Sequence, residues 1–174
     1  MIQRRSVAIV GTGNVGVAAA YALFNQRLAS EIILLDLNRD RAEGEAMDLM
    51  HGQLLVGNVS VRAGSYKDLK NTQVIVIAAG VGQKSKDESR LGLLNRNAAV
   101  FKNIISELDT YAPNAILIIA TNPVDILTYV SQHLSKRNPK RIIGTGTLLD
   151  TARFRALLGQ YYDVDPRSVH AYIL

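Results

Sequence analysis

The 174-residue sequence contains no cysteine. That excludes a disulfide framework, a thiolate metal site and a cysteine nucleophile, and it is compatible with the cytoplasm. No segment approaches the roughly 20 apolar residues that a membrane-spanning helix needs. The charged start Met1-Ile2-Gln3-Arg4-Arg5 precedes an apolar run as in a secretory signal, but Val7-Ala8-Ile9-Val10 is too short and breaks at once into glycines. Internal repeats and low-complexity tracts are also lacking. The net charge is +5, yet the basic residues are scattered, without long runs or interleaved aromatics, so a solvated surface is expected and not a nucleic-acid footprint. Neither nucleic acid, membrane nor metal is expected as a partner, and the cytoplasm is the expected compartment.

What remains is an ordinary globular balance, with 48% hydrophobic and 20% charged residues. The length suffices for one well-buried domain and the start of a second. Short β-branched apolar runs alternate with stretches of helical period. Strands are expected over 7–10, 31–36, 59–63, 73–79, 115–120 and 141–143, and helices over 15–26 and 39–55. Val74-Ile75-Val76-Ile77 and Ile116-Leu117-Ile118-Ile119 do not alternate with polar residues. Strands apolar on both sides belong in a parallel sheet covered on each face by helices, so the expected fold class is α/β, a doubly wound parallel sheet. Leu91, Leu94, Ala98, Phe101, Ile105 and Leu108 fall at steps of three and four and form one helical stripe, read as core packing. Residues 82–89 form a long charged loop, a candidate lid.

Gly11-Thr12-Gly13-Asn14-Val15-Gly16 fits the dinucleotide fingerprint, and it directly follows a strand and opens a helix. The first glycine permits the tight turn, the second lets the backbone approach a pyrophosphate, and the third lets the helix sit close on the sheet. Asn14 and Val15 supply N–H groups at the helix start, where phosphate charge is favoured. Asp36 closes the second strand about twenty residues later, where a carboxylate accepts hydrogen bonds from the adenosine ribose. It would repel a 2′-phosphate, so NAD is the expected cofactor and not NADP. Ala79-Gly80, ending the fourth strand, leaves room for cofactor in the sheet crevice.

With these pieces in place, later segments resemble the lactate/malate dehydrogenase family, over essentially the whole chain. Gln83-Lys84 with Glu88-Ser89-Arg90-Leu91 resembles the family's substrate-closing loop, Thr121-Asn122-Pro123-Val124-Asp125 its segment after the fifth strand, and the run from Gly144 to Arg155 the lactate dehydrogenase form. The resemblance implies a nucleotide-binding Rossmann domain over 1–147 and the beginning of a substrate-binding domain over 148–174. It implies hydride transfer between NAD and pyruvate or L-lactate in a cytoplasmic homo-oligomer, a tetramer when complete. Arg153 would grip the substrate carboxylate through two parallel hydrogen bonds. Arg90 would polarise the ketone as charge builds on its oxygen. Asn122 would bond that oxygen or the nicotinamide region, and Asp150 would orient the catalytic histidine. Arg155 and His170 fall where allosteric bacterial members bind fructose 1,6-bisphosphate.

Two departures qualify this reading. In the family, Gly-Glu-His-Gly-Asp follows the strand matched here by residues 169–174, and the sequence ends at Leu174. The proton-donating histidine is therefore absent from it, neither His51 nor His133 has a motif that would replace it, and this chain alone is not expected to turn over. Residues around Phe154, Leu157, Leu158 and Ile173 would then be exposed and promote association. The loop is also one residue longer than usual, Gln83 to Arg90 being seven steps, with Ser85-Lys86-Asp87 replacing Pro-Gly. Either Gln83 or Lys84 could face the substrate side chain. A malate dehydrogenase would place an arginine there, so malate specificity is the alternative, beside a non-catalytic NAD-binding module. Thr121, where the family often has serine, is a mild change.

Overall fold

The computed structural model describes residues 5–82 and 90–174, with only the backbone of residues 90, 91 and 93. The chain divides into two compact units, Met1–Gly144 and Thr145–Leu174. In the first, β1 (Ser6–Val10), α1 (Asn14–Asn25), β2 (Glu31–Leu35), α2 (Arg39–His51), α3 (Gln53–Val56), β3 (Ser60–Ala63), β4 (Val74–Ile77), α4 (Arg90–Tyr111), β5 (Ile116–Ile119), α5 (Val124–Leu134) and β6 (Ile142–Gly144) follow in chain order. The six strands form one sheet in the order β3-β2-β1-β4-β5-β6, and every pairing is parallel. This is the doubly wound α/β class expected from the uninterrupted apolar strands.

Successive strand residues point to opposite faces; both faces are covered at β1 and β2, whereas Val74, Val76, Ile116 and Ile118 leave one face of β4 and β5 half-buried. Ala8, Val10, Ile33 and Leu35 pack on one side with Phe101, Ile105 and Leu108 of α4 and Leu127 of α5. Ile9, Ile32 and Leu34 pack on the other with Ala20 and Phe24 of α1 and Ala42, Ala46 and Leu49 of α2. The α4 stripe is therefore core: Phe101, Ile105 and Leu108 are fully buried and Leu94 packs at the margin. Asn97 lies on the same stripe and is buried as well. Leu91's side chain lies outside the described residues.

The helix expected over 39–55 is two helices, broken at Gly52, whose N–H donates to Leu49 and Met50 carbonyls. Glycine is a poor helix former, by about 1 kcal/mol relative to alanine. A short 3₁₀ turn at Tyr66–Leu69, closed by reciprocal bonds between Ser65 and Asp68, was not anticipated from the apolar pattern. Below the sheet, Arg137 is buried and holds three elements together. It donates to Asp109 of α4 through Nε (3.1 Å) and Nη2 (2.9 Å), and to the carbonyl of Ala115 ahead of β5 (2.9 Å). Among the described residues no helix is long and apolar enough to cross a membrane.

The second unit is built on α6 (Leu148–Tyr162), ended by Asp163 in the left-handed conformation (φ 54°). A 3₁₀ turn at Pro166–Ser168 reverses the chain. The segment 169–174, expected as a strand, is irregular. A strand needs a partner ladder, and here the segment is tied to α6 instead. The Thr147 hydroxyl donates to the Ile173 carbonyl (2.6 Å), and the Ile173 N–H donates to Thr151 Oγ1 (3.1 Å). Phe154, Leu157 and Ile173 are exposed, whereas Leu158 is half-buried.

Candidate functional site

The strand order reverses at β1, whose neighbours β2 and β4 lead to opposite halves of the sheet. Ligands of open parallel sheets bind at the carboxyl ends of strands beside such a point. There the chain leaves β1 at Gly11, β2 at Asp36 and β4 near Ala79, each one or two residues past the strand end.

The three fingerprint glycines are required for different reasons. Gly11 has φ 99°, and a Cβ there would lie 2.5 Å from the Ala79 nitrogen and 2.6 Å from its Cα. The chain leaving β1 is thus pressed against the chain leaving β4. A Cβ on Gly16 would lie 1.9 Å from the Gly11 carbonyl oxygen, so the α1 backbone seats directly on the turn. A Cβ on Gly13 would meet nothing within 4 Å. Gly13 caps α1 without any side-chain hydrogen bond, and no acidic residue sits in the first turn. Among the described residues no side chain caps the start of α1, and Asn14 and Val15, which open it, are both exposed. An exposed helix start without a side-chain cap suits a phosphate, so this cradle fits a dinucleotide.

Asp36 stands beside the turn and is bonded to it. Its Oδ2 accepts from the Thr12 N–H (2.7 Å) and from the Thr12 hydroxyl (2.9 Å), while Oδ1 accepts from the Asn38 N–H (3.0 Å). Burial pushes the carboxyl upward, but the bonds from Thr12 and Asn38, with the charge of Arg41, outweigh it and hold the group below its ordinary value. Asp36 is therefore an anion at neutral pH. Thr12 was not singled out in the sequence. Its signal is its place inside the fingerprint, but the partner, 24 residues away, becomes visible only with the sheet.

At the exits of β4 and β5 two further polar side chains shape the crevice. The Thr121 hydroxyl donates to the carbonyls of Ala79 (2.8 Å) and Ile77 (3.2 Å). Asn97 accepts from the Val81 N–H at 2.9 Å and donates to the Val81 carbonyl at 3.3 Å. A Cβ on Gly80 would lie 2.6 Å from Thr121 Cγ2 and 2.9 Å from Asn97 Oδ1. Gly80 is thus held close between the Thr121 and Asn97 side chains, with no room for a Cβ. Asn97 could have been found as the polar residue on an otherwise apolar stripe. Asn122 is exposed just past β5, and the Asn122–Pro123 peptide is cis.

The remaining candidates divide between the second unit and the substrate loop. Asp150 and Arg153 are one helical turn apart on α6 and form an exposed ion pair at 3.4 Å. Such a pair is worth at most about 1 kcal/mol, so it opposes recruitment of either group only weakly. Arg155 Nη2 donates to the carbonyls of Pro166 and Arg167, both at 3.3 Å, and its buried Nε has no partner among the described residues. His170 is exposed. Gln83, Lys84, Glu88 and Ser89 lie outside the described residues, as does the side chain of Arg90.

A separate cleft of about 330 Å³ is lined by Asp109, Pro113, Asn114, Lys136, Arg137, Asn138 and Arg141. It lies at the amino ends of β5 and β6, beside the carboxyl ends of α4 and α5. Cations there complement helix carboxyl ends, and Arg137 is committed to Asp109. Both observations account for that cleft's charges by contacts within the fold, at the end of the strands opposite the glycine turn.

Comparison with known proteins agrees with this geometry. The sequence profile of the lactate/malate dehydrogenase NAD-binding domain matches residues 5–144. An L-lactate dehydrogenase of Salinibacter ruber is 70% identical over 174 residues, all of this chain and 55% of that protein. L-lactate dehydrogenase 1 of Clostridium acetobutylicum is 47% identical over the whole chain, again 55% of that protein. The ligand-bound crystal structure of a minor L-lactate dehydrogenase from Enterococcus mundtii superposes with a TM-score of 0.95 at 44% identity, covering 99% of this chain and 55% of that one. A lactate dehydrogenase from a Medee basin deep-sea metagenome gives a TM-score of 0.94 at 46% identity, over 99% and 55% of the two chains. The chain thus spans about half the length of the relatives it matches. With the glycine turn, the bare start of α1 and the anion at Asp36, the profile match leads to one conclusion: the chain belongs to the lactate/malate dehydrogenase family and carries its NAD-binding domain.

Proposed function

We propose that this chain forms the cofactor half of an L-lactate dehydrogenase-type oxidoreductase, acting on pyruvate and L-lactate. The observation that carries the reading is the Asp36 carboxylate, bonded to the glycine turn and held ionised next to the open start of α1. In this reading the N–H groups around Gly13, Asn14 and Val15 bind the pyrophosphate. Asp36 accepts from the adenosine ribose and repels a 2′-phosphate, which selects NAD over NADP. Gly11, Gly16, Ala79 and Gly80 keep the turn close to the sheet and the crevice clear. Bound NAD supplies a nicotinamide ring that accepts hydride from lactate or, when reduced, gives it to pyruvate.

The substrate residues take the roles their chemistry suits. Arg153 grips the carboxylate, Arg90 stabilises charge developing on the ketone oxygen, and Asn122 donates to that oxygen or to the nicotinamide amide. Gln83 accommodates the pyruvate methyl without leaving a buried charge unpaired. Asp150 orients the family's proton-donating histidine. The test is steady-state oxidation of NADH by a protein spanning the relatives' full length, with pyruvate and oxaloacetate compared. Preference for pyruvate is expected. Preference for oxaloacetate would replace this reading by malate dehydrogenase, and no turnover with either would leave a binding module.

Two narrower proposals accompany it. A protein spanning the relatives' full length works as a cytoplasmic homo-oligomer, a tetramer, which sedimentation and cell fractionation would check. Arg155 and His170 contribute to a fructose 1,6-bisphosphate site. The long bonds of Arg155 Nη2 to two backbone carbonyls are weak enough to yield to a phosphate. Activation by the sugar bisphosphate, lost in Arg155→Gln, is the expected result; an unchanged rate on adding it would remove the idea.

A further inference from the structure

We propose that Thr12 is a specificity-determining positioning residue, whose hydroxyl fixes the Asp36 carboxylate so that Oδ1 is the oxygen left for the adenosine ribose. The proposal rests on the reading of Asp36 as the ribose acceptor. An ionised carboxylate can only accept hydrogen bonds, so the Thr12 hydroxyl, 2.9 Å from Oδ2, must be the donor. Oδ2 thereby takes two donors from one residue, at 2.7 and 2.9 Å, whereas Oδ1 takes a single bond from Asn38 at 3.0 Å. The two donors approach Oδ2 from the backbone and the side chain of Thr12 and resist rotation of the carboxylate.

Thr12 is itself immobilised. It is fully buried, lies between Gly11 and Gly13, and its hydroxyl has no other partner among the described residues. The neighbouring Gly11 N–H donates to the Leu35 carbonyl at 2.7 Å, so consecutive turn residues are tied to consecutive residues at the end of β2. Most residues at this position would supply the backbone bond to Oδ2, but only a hydroxyl supplies the second. Without it the carboxylate can turn. One orientation offers the ribose a poorer acceptor, and another moves negative charge away from where a 2′-phosphate would sit. Loss of the hydroxyl should therefore weaken NADH binding and, more strongly, relax the rejection of NADPH.

The test titrates the chain with NADH and with NADPH, following nicotinamide fluorescence, and records a thermal melt for each variant. Thr12→Ser and Thr12→Ala both lose the methyl group and differ from each other in the hydroxyl alone, which removes the effect of packing. Thr12→Ala is expected to bind NADH about five-fold more weakly than Thr12→Ser, less than the roughly ten-fold or more of a hydrogen bond made directly to a charged ligand group, because Thr12 acts through Asp36. The preference for NADH over NADPH should narrow by about ten-fold in Thr12→Ala and stay native in Thr12→Ser. A merely structural role would lower both affinities together and leave their ratio alone, and that result would overturn the proposal. Asp36→Ala separates the two levels. If it collapses the ratio while Thr12→Ala does not, only the role of Thr12 falls. If it leaves the ratio unchanged, the reading of Asp36 falls with it.

Discussion

A methyl group added at Gly13 would meet no atom of the described residues within 4 Å beyond its chain neighbours, and the residue's φ of −70° and ψ of −177° suit any L-amino acid. Gly13→Ala should therefore fold. Alanine is a somewhat poorer helix cap than glycine, but it lowers the entropy of the unfolded chain by the equivalent of about 0.4–1 kcal/mol. The two effects nearly cancel, leaving stability within about 0.5 kcal/mol of the parent. For the cofactor the methyl occupies the space through which a pyrophosphate reaches the opening N–H groups of α1. Displacing the phosphate from one such N–H removes a charge-assisted hydrogen bond, worth about 1.5–3 kcal/mol, or about 10- to 150-fold in NADH affinity. Urea unfolding and NADH titration of the same preparation make the assay. NADH affinity within about two-fold of the parent, with stability unchanged, would refute the placement of the phosphate over Gly13.

Gly16→Ala is expected to behave in the opposite way. Its Cβ would sit 1.9 Å from the Gly11 carbonyl oxygen, so α1 must lift off the turn and overpacking of about 1–3 kcal/mol or more appears in urea unfolding, with or without cofactor. Arg137→Ala leaves Asp109 and the Ala115 carbonyl short of donors in a site where Arg137 is 1% exposed, so a loss of about 3–5 kcal/mol is expected. Acid should expose the same network. Burial raises the Asp109 carboxyl, but bonds from Ser135, Lys136 and Arg137, with the charge of Arg137, outweigh it and lower its pKa. A depressed folded-state value stabilises above the unfolded pKa of about 3.9 and is lost as pH falls through the folded value. The parent should thus lose stability from about pH 5 downward, and Arg137→Ala should show a flatter acid limb; equal slopes would sink this assignment.

The parts of this fold that could be read in advance are those where local sequence and global position agree. The apolar runs at β4 and β5 bury Ile75, Ile77, Leu117 and Ile119 beneath α4 and α5, while Val74, Val76, Ile116 and Ile118 on the other face are half-buried. The glycine turn was legible because Gly11 and Gly16 answer backbone overlaps, while Gly13 leaves space free at the helix start. Less legible were features made by long-range pairing. Neither Thr12 with Asp36 nor Arg137 with Asp109 is signalled by spacing, since 24 and 28 residues separate the partners. Asn97 was hidden within an apolar stripe although its polarity set it apart. The run at 169–174 was expected as a strand only through the family resemblance, and it is irregular because it has no partner strand among the described residues.

Binding of NADH and NADPH to the 174-residue chain, measured by isothermal titration, tests most directly whether residues 11–16 and Asp36 form an NAD site. Saturable one-to-one binding of NADH is expected, with NADPH weaker by about ten-fold or more because its 2′-phosphate meets an ionised carboxylate. Absence of NADH binding, or equal affinity for the two nucleotides, would contradict it.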